Sequence, residues 1–241
     1  MAVSKRAGKS SVKQNDFLAP YAPTIGTGTD VGTARPYNNG AVSVTFTPDA
    51  RNAATSYTVT ASTGQTGTGA SSPIVVTGIA SGATPTFTVT ATNSYGTSAA
   101  SSATGAVTVT TVPDVPTAIT VSSPTGSSGG VNQAGTSYDV LSWTAPVSNG
   151  GKALTGYSWE SNDGKSGTIG VATSVNPLGQ EGGTSQAYRV LATNANGNSA
   201  WSVYSATVTT FAFTPFSVFG FSPFGVFGFS PFGVFGFSPT Y

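Results

Sequence analysis

Short runs in which apolar residues alternate with Thr or Ser recur along most of this chain. Three of them cover residues 41–46 (AVSVTF), 56–61 (SYTVTA) and 86–92 (TFTVTAT). A period of two places one row of side chains on a core and the other in solvent, as in a half-buried β-strand. The β-branched Thr and Val residues favour the same backbone. No stretch shows a sustained apolar repeat at helical spacing, so the sequence predicts an all-β fold.

The chain also repeats itself at a spacing near 100 residues. Residues 91–101 (ATNSYGTSAAS) and 192–202 (ATNANGNSAWS) share seven of eleven positions. Runs separated by Gly, Pro and Asn turns about every ten residues are typical of a β-sandwich of about 100 residues. Two tandem sandwiches are therefore predicted, at 20–111 and 112–210. The prolines of the VPDVP segment at 112–116 are expected to stiffen the join.

Both halves resemble fibronectin type III domains. The markers are a Pro-led first strand (APTI and VPTAI), an aromatic residue in the second strand (Phe46 and Trp143), a tyrosine in the third (Tyr57 and Tyr157) and the late Ala-Thr-Asn-x-x-Gly-x-Ser run. Pro85 and Gln186 occupy the place of a tyrosine that the family often carries, so other bonds are expected to hold that corner. The family's Arg-Gly-Asp tripeptide is absent, and no cell-adhesion site is inferred from the resemblance.

Aromatic residues at inward-facing positions are predicted to form the two cores, because such positions of both sheets make up the interior of a sandwich. These residues are Phe46, Tyr57, Phe87, Trp143, Tyr157 and Tyr188. Trp201 replaces an alanine of the first repeat, and together with Trp159 it could form a platform for stacking a sugar. Packing within the fold is the alternative for both tryptophans.

The composition excludes several kinds of site. Histidine and cysteine are absent, so disulfides, His/Cys zinc sites and Ser–His or Cys–His dyads are excluded. Charged residues make up 7% of the chain and the net charge is +1, which gives no broad field for nucleic acid. Glu160 and Asp163 are a conceivable acid–base pair, but an Asn-Asp-Gly turn is the commoner reason for such an aspartate. No catalytic, cofactor-binding or metal-binding residue is predicted.

Residues 1–19 are predicted to form an extended basic arm. They contain four of the nine basic residues of the chain: Lys5, Arg6, Lys9 and Lys13. No apolar stretch follows them, so a secretory signal peptide is not expected. Two interpretations remain open, namely a flexible solvated terminus and an arm that docks on an acidic neighbour.

Residues 211–241 are a repeat rich in Phe, Gly and Pro that is predicted to be non-helical. The unit is the octad Phe-Ser-Pro-Phe-Gly-Val-Phe-Gly, and the stretch contains eleven of the fourteen phenylalanines of the chain but no charge. A proline in every octad argues against a continuous helix, and hence against a membrane span. The phenylalanines predicted to form an assembly interface are Phe213, Phe216, Phe219, Phe221, Phe224, Phe227, Phe229, Phe232, Phe235 and Phe237.

An extended octad repeat would be apolar on both faces and would need to be covered on both. Such a surface left in water promotes aggregation. We therefore expect tails of several copies to pack together, or each tail to run along a neighbouring subunit, with a disordered tail as the alternative.

Residues 23–40 and the Phe-Gly-Phe-Ser-Pro ending are similar to segments of virion structural proteins of tailed phages, especially marine cyanophages. The resemblance implies a decoration, tail or fibre protein made in the host cytoplasm, with itself and other virion proteins as partners and a host surface glycan as a further candidate partner. Two alternatives are a bacterial surface adhesin or carbohydrate-binding module, and the accessory part of a polysaccharide-degrading enzyme. No cofactor, nucleic acid or membrane span is expected.

Overall fold

The computed structural model of the protein describes residues 18–122, 139–177 and 185–209. These residues form sixteen β-strands and no helix, and the described part of the chain accordingly has no helical segment suited to crossing a membrane. The prediction of an all-β fold is confirmed. Residues 1–17, which hold the four basic side chains of the arm, and the octad repeat after residue 210 lie outside the described residues.

The first sandwich consists of two antiparallel sheets. One has the strand order β1-β2-β5 and the other has the order β4-β3-β6-β7. The strands are β1 (Thr24–Asp30), β2 (Gly40–Thr47), β3 (Ser56–Ala61), β4 (Thr66–Gly69), β5 (Ile74–Ile79), β6 (Phe87–Asn93) and β7 (Gly96–Thr97).

The second sandwich repeats this arrangement. Its sheets have the orders β8-β9-β12 and β11-β10-β14-β15, and β13 pairs with β16 beside them. The strands are β8 (Thr117–Ser122), β9 (Val140–Thr144), β10 (Leu154–Ser161), β11 (Ser166–Ile169), β12 (Ser174–Val175), β13 (Ser185–Gln186), β14 (Tyr188–Asn194), β15 (Gly197–Asn198) and β16 (Val208–Thr209). A three-stranded sheet facing a four-stranded one, in this order, is a fibronectin type III-like sandwich.

Each sandwich has its own core of alternate residues from both sheets. Val44 of β2, Val59 of β3 and Phe87 of β6 are fully buried in the first core. The ring of Phe46 lies 4.8 Å from that of Tyr57, and the equivalent rings of Trp143 and Tyr157 lie 5.2 Å apart in the second core. All six aromatic residues predicted to lie in the cores are buried.

The last segment of each sandwich binds its sheet through every third residue. In both halves the N–H of a Ser or Thr donates to a carbonyl of β6 or β14, and its hydroxyl oxygen accepts the N–H of the same strand residue. These residues are Ser98, Ser101 and Thr104 in the first half and Ser199, Ser202 and Ser205 in the second. A period of three is that of a polyproline II helix, so one row of side chains faces the sheet edge and two rows face outward.

The corner before β6 and β14 is held without the tyrosine of the family, as expected. The carbonyl of Pro85 accepts the N–H of Val107 at 3.0 Å. In the second half Gln186 is 2% exposed, and its amide nitrogen lies 3.4 Å from a carboxyl oxygen of Asp163.

One buried position distinguishes the two cores chemically. Tyr188 is fully buried, and its hydroxyl donates a 2.7 Å hydrogen bond to the carboxylate of Asp139, which is also fully buried. The corresponding residues of the first sandwich are Phe87 and Val42, both fully buried. The second core therefore contains a polar pair where the first has two hydrocarbon side chains.

Candidate functional site

The residues predicted to take part in assembly are not among those whose positions the structure describes. The ten phenylalanines from Phe213 to Phe237 and the four basic residues from Lys5 to Lys13 lie in the two terminal segments. Leu18 and Ala19, which were assigned to the arm, are described and bind the first sandwich through their carbonyls. The described residues contain three further places with unusual chemistry: the junction between the sandwiches, an outward-facing aromatic cluster and an apolar groove.

The junction consists of a buried linker held by both sandwiches. Residues 109–112 are between 0% and 7% exposed. The N–H of Thr111 donates to the carbonyl of Gly150 in the second sandwich at 2.8 Å, while the N–H of Val112 donates to the carbonyl of Arg35 in the first at 3.0 Å. The linker therefore belongs to the hydrogen-bonded structure of both halves.

Asn194, at the end of β14, binds the linker from the side of the second sandwich. Its amide nitrogen donates to the carbonyls of Thr111 at 2.9 Å and Asn149 at 2.8 Å. Its side-chain oxygen accepts the N–H of Asn196 at 2.8 Å, which fixes the orientation of the amide group. Because Asn194 is only 3% exposed, water cannot readily replace these bonds.

Asn196 extends the contact to the first sandwich. Its amide nitrogen donates to the hydroxyl of Thr110 at 2.7 Å, and that hydroxyl donates in turn to the carboxylate of Asp30. Its backbone carbonyl accepts the N–H of Ala34 at 2.7 Å. A chain of hydrogen bonds thus runs from the carboxylate of the first sandwich through the linker to the second.

Gly150 allows the close approach of backbone that this junction needs. Its φ of +73° is in the left-handed region, and a Cβ atom added there would lie 2.4 Å from the carbonyl oxygen of Thr111. Such a contact is impossible without moving the linker, so no residue with a side chain fits at this position.

The same arrangement occurs where the chain enters the first sandwich. The amide nitrogen of Asn93, the counterpart of Asn194, donates to the carbonyl of Leu18 at 3.0 Å. A Cβ added to Gly96 would lie 3.3 Å from Ala19, and one added to Gly197 would lie 3.4 Å from Val112. The repeated Ala-Thr-Asn-x-x-Gly run therefore holds the segment that enters each sandwich. The sequence showed that this run is repeated, but it did not show which segment each copy of the run binds.

The platform suggested for Trp159 and Trp201 is wrong, because Trp159 is 7% exposed and its ring lies 6.0 Å from that of Tyr188 in the core. Trp201 instead faces outward beside Arg189, whose guanidinium lies 5.0 Å from the ring centres of both Trp201 and Tyr204. Arg189 also forms an ion pair with Glu160. The counterparts in the first sandwich are small: Thr60, Thr88, Ala100 and Ala103.

An apolar groove lies on the second sandwich between the start of β8 and residues 199–206. These residues belong to the last segment of the sandwich, which binds β14 through every third residue and is called the period-three segment below. Its volume is about 400 Å³, and its lining includes Val115, Pro116, Ile119, Val203, Tyr204 and Ala206. Val203 is 85% exposed and Tyr204 is 42% exposed. Both residues come from the two rows of the period-three segment that do not face the sheet.

Glu160 and Asp163 do not form an acid–base pair in the structure. Glu160 pairs with Arg189, whereas Asp163 accepts hydrogen bonds from Ser161 and Lys165 in the turn that ends β10. Burial by itself would raise the pKa of Asp163, but the hydrogen bonds from Ser161 and Lys165 outweigh it and lower that pKa. The described residues contain no group of three or more acidic side chains that could hold a metal ion.

Comparison with known proteins finds similarity to solved structures only. No protein-family model and no curated protein matches the sequence. Domains from titin match at 19% identity over 79% of this chain and 67% of that one, with a TM-score of 0.42. The FN1–FN3 domains of chicken CNTN1 match at 18% identity over 78% of this chain and 67% of that one, with a TM-score of 0.40.

A third match has a narrower extent. The titin kinase with its flanking domains is 28% identical over 41% of this chain and 17% of that one, with a TM-score of 0.31. All three TM-scores are below 0.5, so the assignment of a fibronectin type III-like fold rests on the strand pairing described above.

Proposed function

We propose that this chain is a non-enzymatic structural component of a tailed-phage particle, such as a decoration, tail or fibre protein. In this role the two sandwiches act as a stiff spacer, and the octad repeat attaches the chain to itself and to other virion proteins. The particle is assembled in the host cytoplasm. The proposed partners include neither nucleic acid nor a membrane, and no cofactor is required.

The observation that carries this proposal is the closed junction. Relative motion is the ordinary expectation for two domains joined by a linker. Here the linker is buried, and its N–H groups donate to carbonyls of both sandwiches. A joint of this kind holds the second sandwich in a set direction from the first, as a projecting spacer needs.

The composition of the octad repeat supports the attachment part of the proposal. Burying one phenylalanine contributes about 2–3 kcal/mol, so eleven supply on the order of 25 kcal/mol as an upper limit. The octad repeat carries no charged residue, so its attachment depends on apolar burial and should survive high salt.

Removing residues 211–241 is expected to abolish self-association and incorporation into particles, while leaving both sandwiches folded. The physical reason is that the deletion takes away most of the phenylalanine of the chain, whereas every core residue that the structure describes is kept. Sedimentation velocity and co-purification with intact particles in high salt measure the loss, and circular dichroism measures the fold. A truncated chain that associates and incorporates like the parent would refute the proposed role.

Replacing Lys5, Arg6, Lys9 and Lys13 with Ala tests the arm separately. If the arm docks on an acidic neighbour, occupancy in particles should fall at low salt, and the difference from the parent should shrink as salt rises, because salt screens the charges of the parent's arm. Unchanged occupancy at low salt would show that these charges only solvate the terminus.

The aromatic cluster favours an adhesin or carbohydrate-binding module as the second candidate. Trp201 and Tyr204 present rings beside a charged pair, and the first sandwich folds with Ala at both places. A glycan array that retains the parent chain but not the Trp201→Ala variant would favour this candidate. If neither the parent chain nor the variant binds any glycan, the aromatic cluster has only a packing role.

A further inference from the structure

We infer that the apolar groove of the second sandwich is the receptor for the octad repeat of a second copy of this chain. The inference rests on the proposed role of the repeat in assembly and adds the surface that receives it. The lining of the groove includes the apolar or aromatic residues Val115, Pro116, Ile119, Val203, Tyr204 and Ala206, together with the polar residues Thr117, Ser202 and Ser205.

The two sandwiches differ at this surface in a way that their shared fold does not require. Val203 and Tyr204 occupy the positions of Ser102 and Ala103 in the first sandwich. The backbone there is the same in both, since Ser101 and Ser202 bind the neighbouring strand through identical pairs of hydrogen bonds. Exposed apolar side chains therefore replace small ones only in the sandwich next to the repeat.

The chemistry of the groove matches that of the repeat. Grooves lined by aromatic residues and proline bind Pro-containing segments, because these segments need little ordering before they bind. The two regular octads contain the sequence Phe-Ser-Pro-Phe and the first, degenerate octad contains Phe-Thr-Pro-Phe, while the groove offers Pro116 and the ring of Tyr204. Neither the groove lining nor the repeat carries a charge, and Arg189 beside Tyr204 is already paired with Glu160, so binding does not leave an unpaired ion in an apolar contact.

The repeat is longer than one groove can hold, so its octads can engage the grooves of other copies. The described chain ends at Thr209, three residues after Ala206, and 32 residues follow. Residues 115–119, which form the side of the groove at the start of β8, span roughly 13 Å. This length corresponds to about four residues of a polyproline II segment. One groove therefore takes about half an octad. The remaining octads of each repeat are available to other copies, and this links chains together.

A first experiment uses the residues of the first sandwich as replacements. The full-length Val203→Ser/Tyr204→Ala variant carries side chains that this backbone already accommodates in the first half. Its self-association in sedimentation velocity is expected to weaken by at least about tenfold, as for loss of the central residues of an interface. Val147→Ser is the matched control, because Val147 is 90% exposed and lies outside the groove. Association equal to that of the control would overturn the inference.

A second experiment detects the contact directly and exploits the absence of cysteine from the chain. A full-length Val203→Cys variant is mixed with a full-length Ser222→Cys variant and oxidised mildly. Docking should raise the yield of mixed disulfide by about tenfold or more over that of Val147→Cys with Ser222→Cys, through the local concentration of the two thiols. Equal yields would contradict the inference.

The outcome separates this inference from the proposed function. If deletion of residues 211–241 abolishes association but the groove variant does not, the repeats bind each other and only the groove assignment fails. If neither change has an effect, both fail.

Discussion

Replacing Tyr188 with Phe is expected to lower the free energy of unfolding of the second sandwich by about 3 kcal/mol. The change removes only the hydroxyl that donates to Asp139, and the Asp139 carboxylate stays fully buried with one hydrogen bond fewer. All three tryptophans lie in the second sandwich, so tryptophan fluorescence during urea unfolding reports on this half alone.

The matched variant is the double replacement Asp139→Val/Tyr188→Phe. It reproduces the pair Val42 and Phe87, which the first sandwich buries completely at the same positions. Because the double variant removes the buried carboxylate together with the hydroxyl that binds it, most of the lost stability should return. A single variant that unfolds like the parent, or a double variant no more stable than the single one, would refute this account of the pair.

The same pair predicts a loss of stability in alkali. Burial raises the pKa of Tyr188 far above its usual value, and the hydrogen bond to Asp139 and the charge of that carboxylate add to the effect. In the unfolded chain a tyrosine ionises near pH 10. The stability that Tyr188 contributes is therefore complete below about pH 10 and is lost as the pH rises further.

Tyr188→Phe should reduce this alkaline sensitivity without abolishing it. Burial also raises the pKa of Tyr157, partly offset by its contact with Trp143, so a second ionisation acts over the same range. Urea midpoints measured at several values between pH 9 and 11 test the expectation, and identical pH profiles for the parent and the variant would contradict it.

Replacing Asn194 with Asp is expected to open the junction between the sandwiches. The shapes are nearly the same, but a carboxylate oxygen would then face the carbonyl oxygens of Thr111 and Asn149, where the amide now donates at 2.9 and 2.8 Å. Two acceptors facing an acceptor in a buried position cost on the order of 3 kcal/mol. Small-angle X-ray scattering should show a broader distribution of distances between the two halves.

Asn93→Asp is the control for this prediction. Asn93 makes the equivalent bond to Leu18 at the start of the first sandwich, in an exposed setting, so the loss should be smaller and the spacing of the halves unchanged. Protonation of the new aspartate at acid pH should partly restore the junction, because a carboxylic acid can donate one hydrogen bond. A scattering profile unchanged by Asn194→Asp would show that other contacts fix the halves.

The junction between the sandwiches and the apolar groove differ in how far the sequence could predict them. The repeated Ala-Thr-Asn-x-x-Gly run marked Asn93 and Asn194 as special, but their partners Leu18 and Thr111 lie more than seventy residues away in the chain. The groove was not predicted, because it needs β8 and the period-three segment to lie side by side. One sign of the groove was present in the sequence. A comparison of the two repeats shows Val203 and Tyr204 at the positions of Ser102 and Ala103.

The sequence by itself determined that this is an all-β chain of two similar sandwiches and placed six of its aromatic residues in the cores. Alternation with a period of two and turn residues at regular intervals are local properties, and they require no knowledge of the partner strands. Only the tertiary structure decided that Trp159 faces the core while Trp201 faces Arg189, that Asp139 meets Tyr188, and that the linker is bound by both halves. Each of these results depends on which distant residues the fold brings within hydrogen-bonding or packing distance.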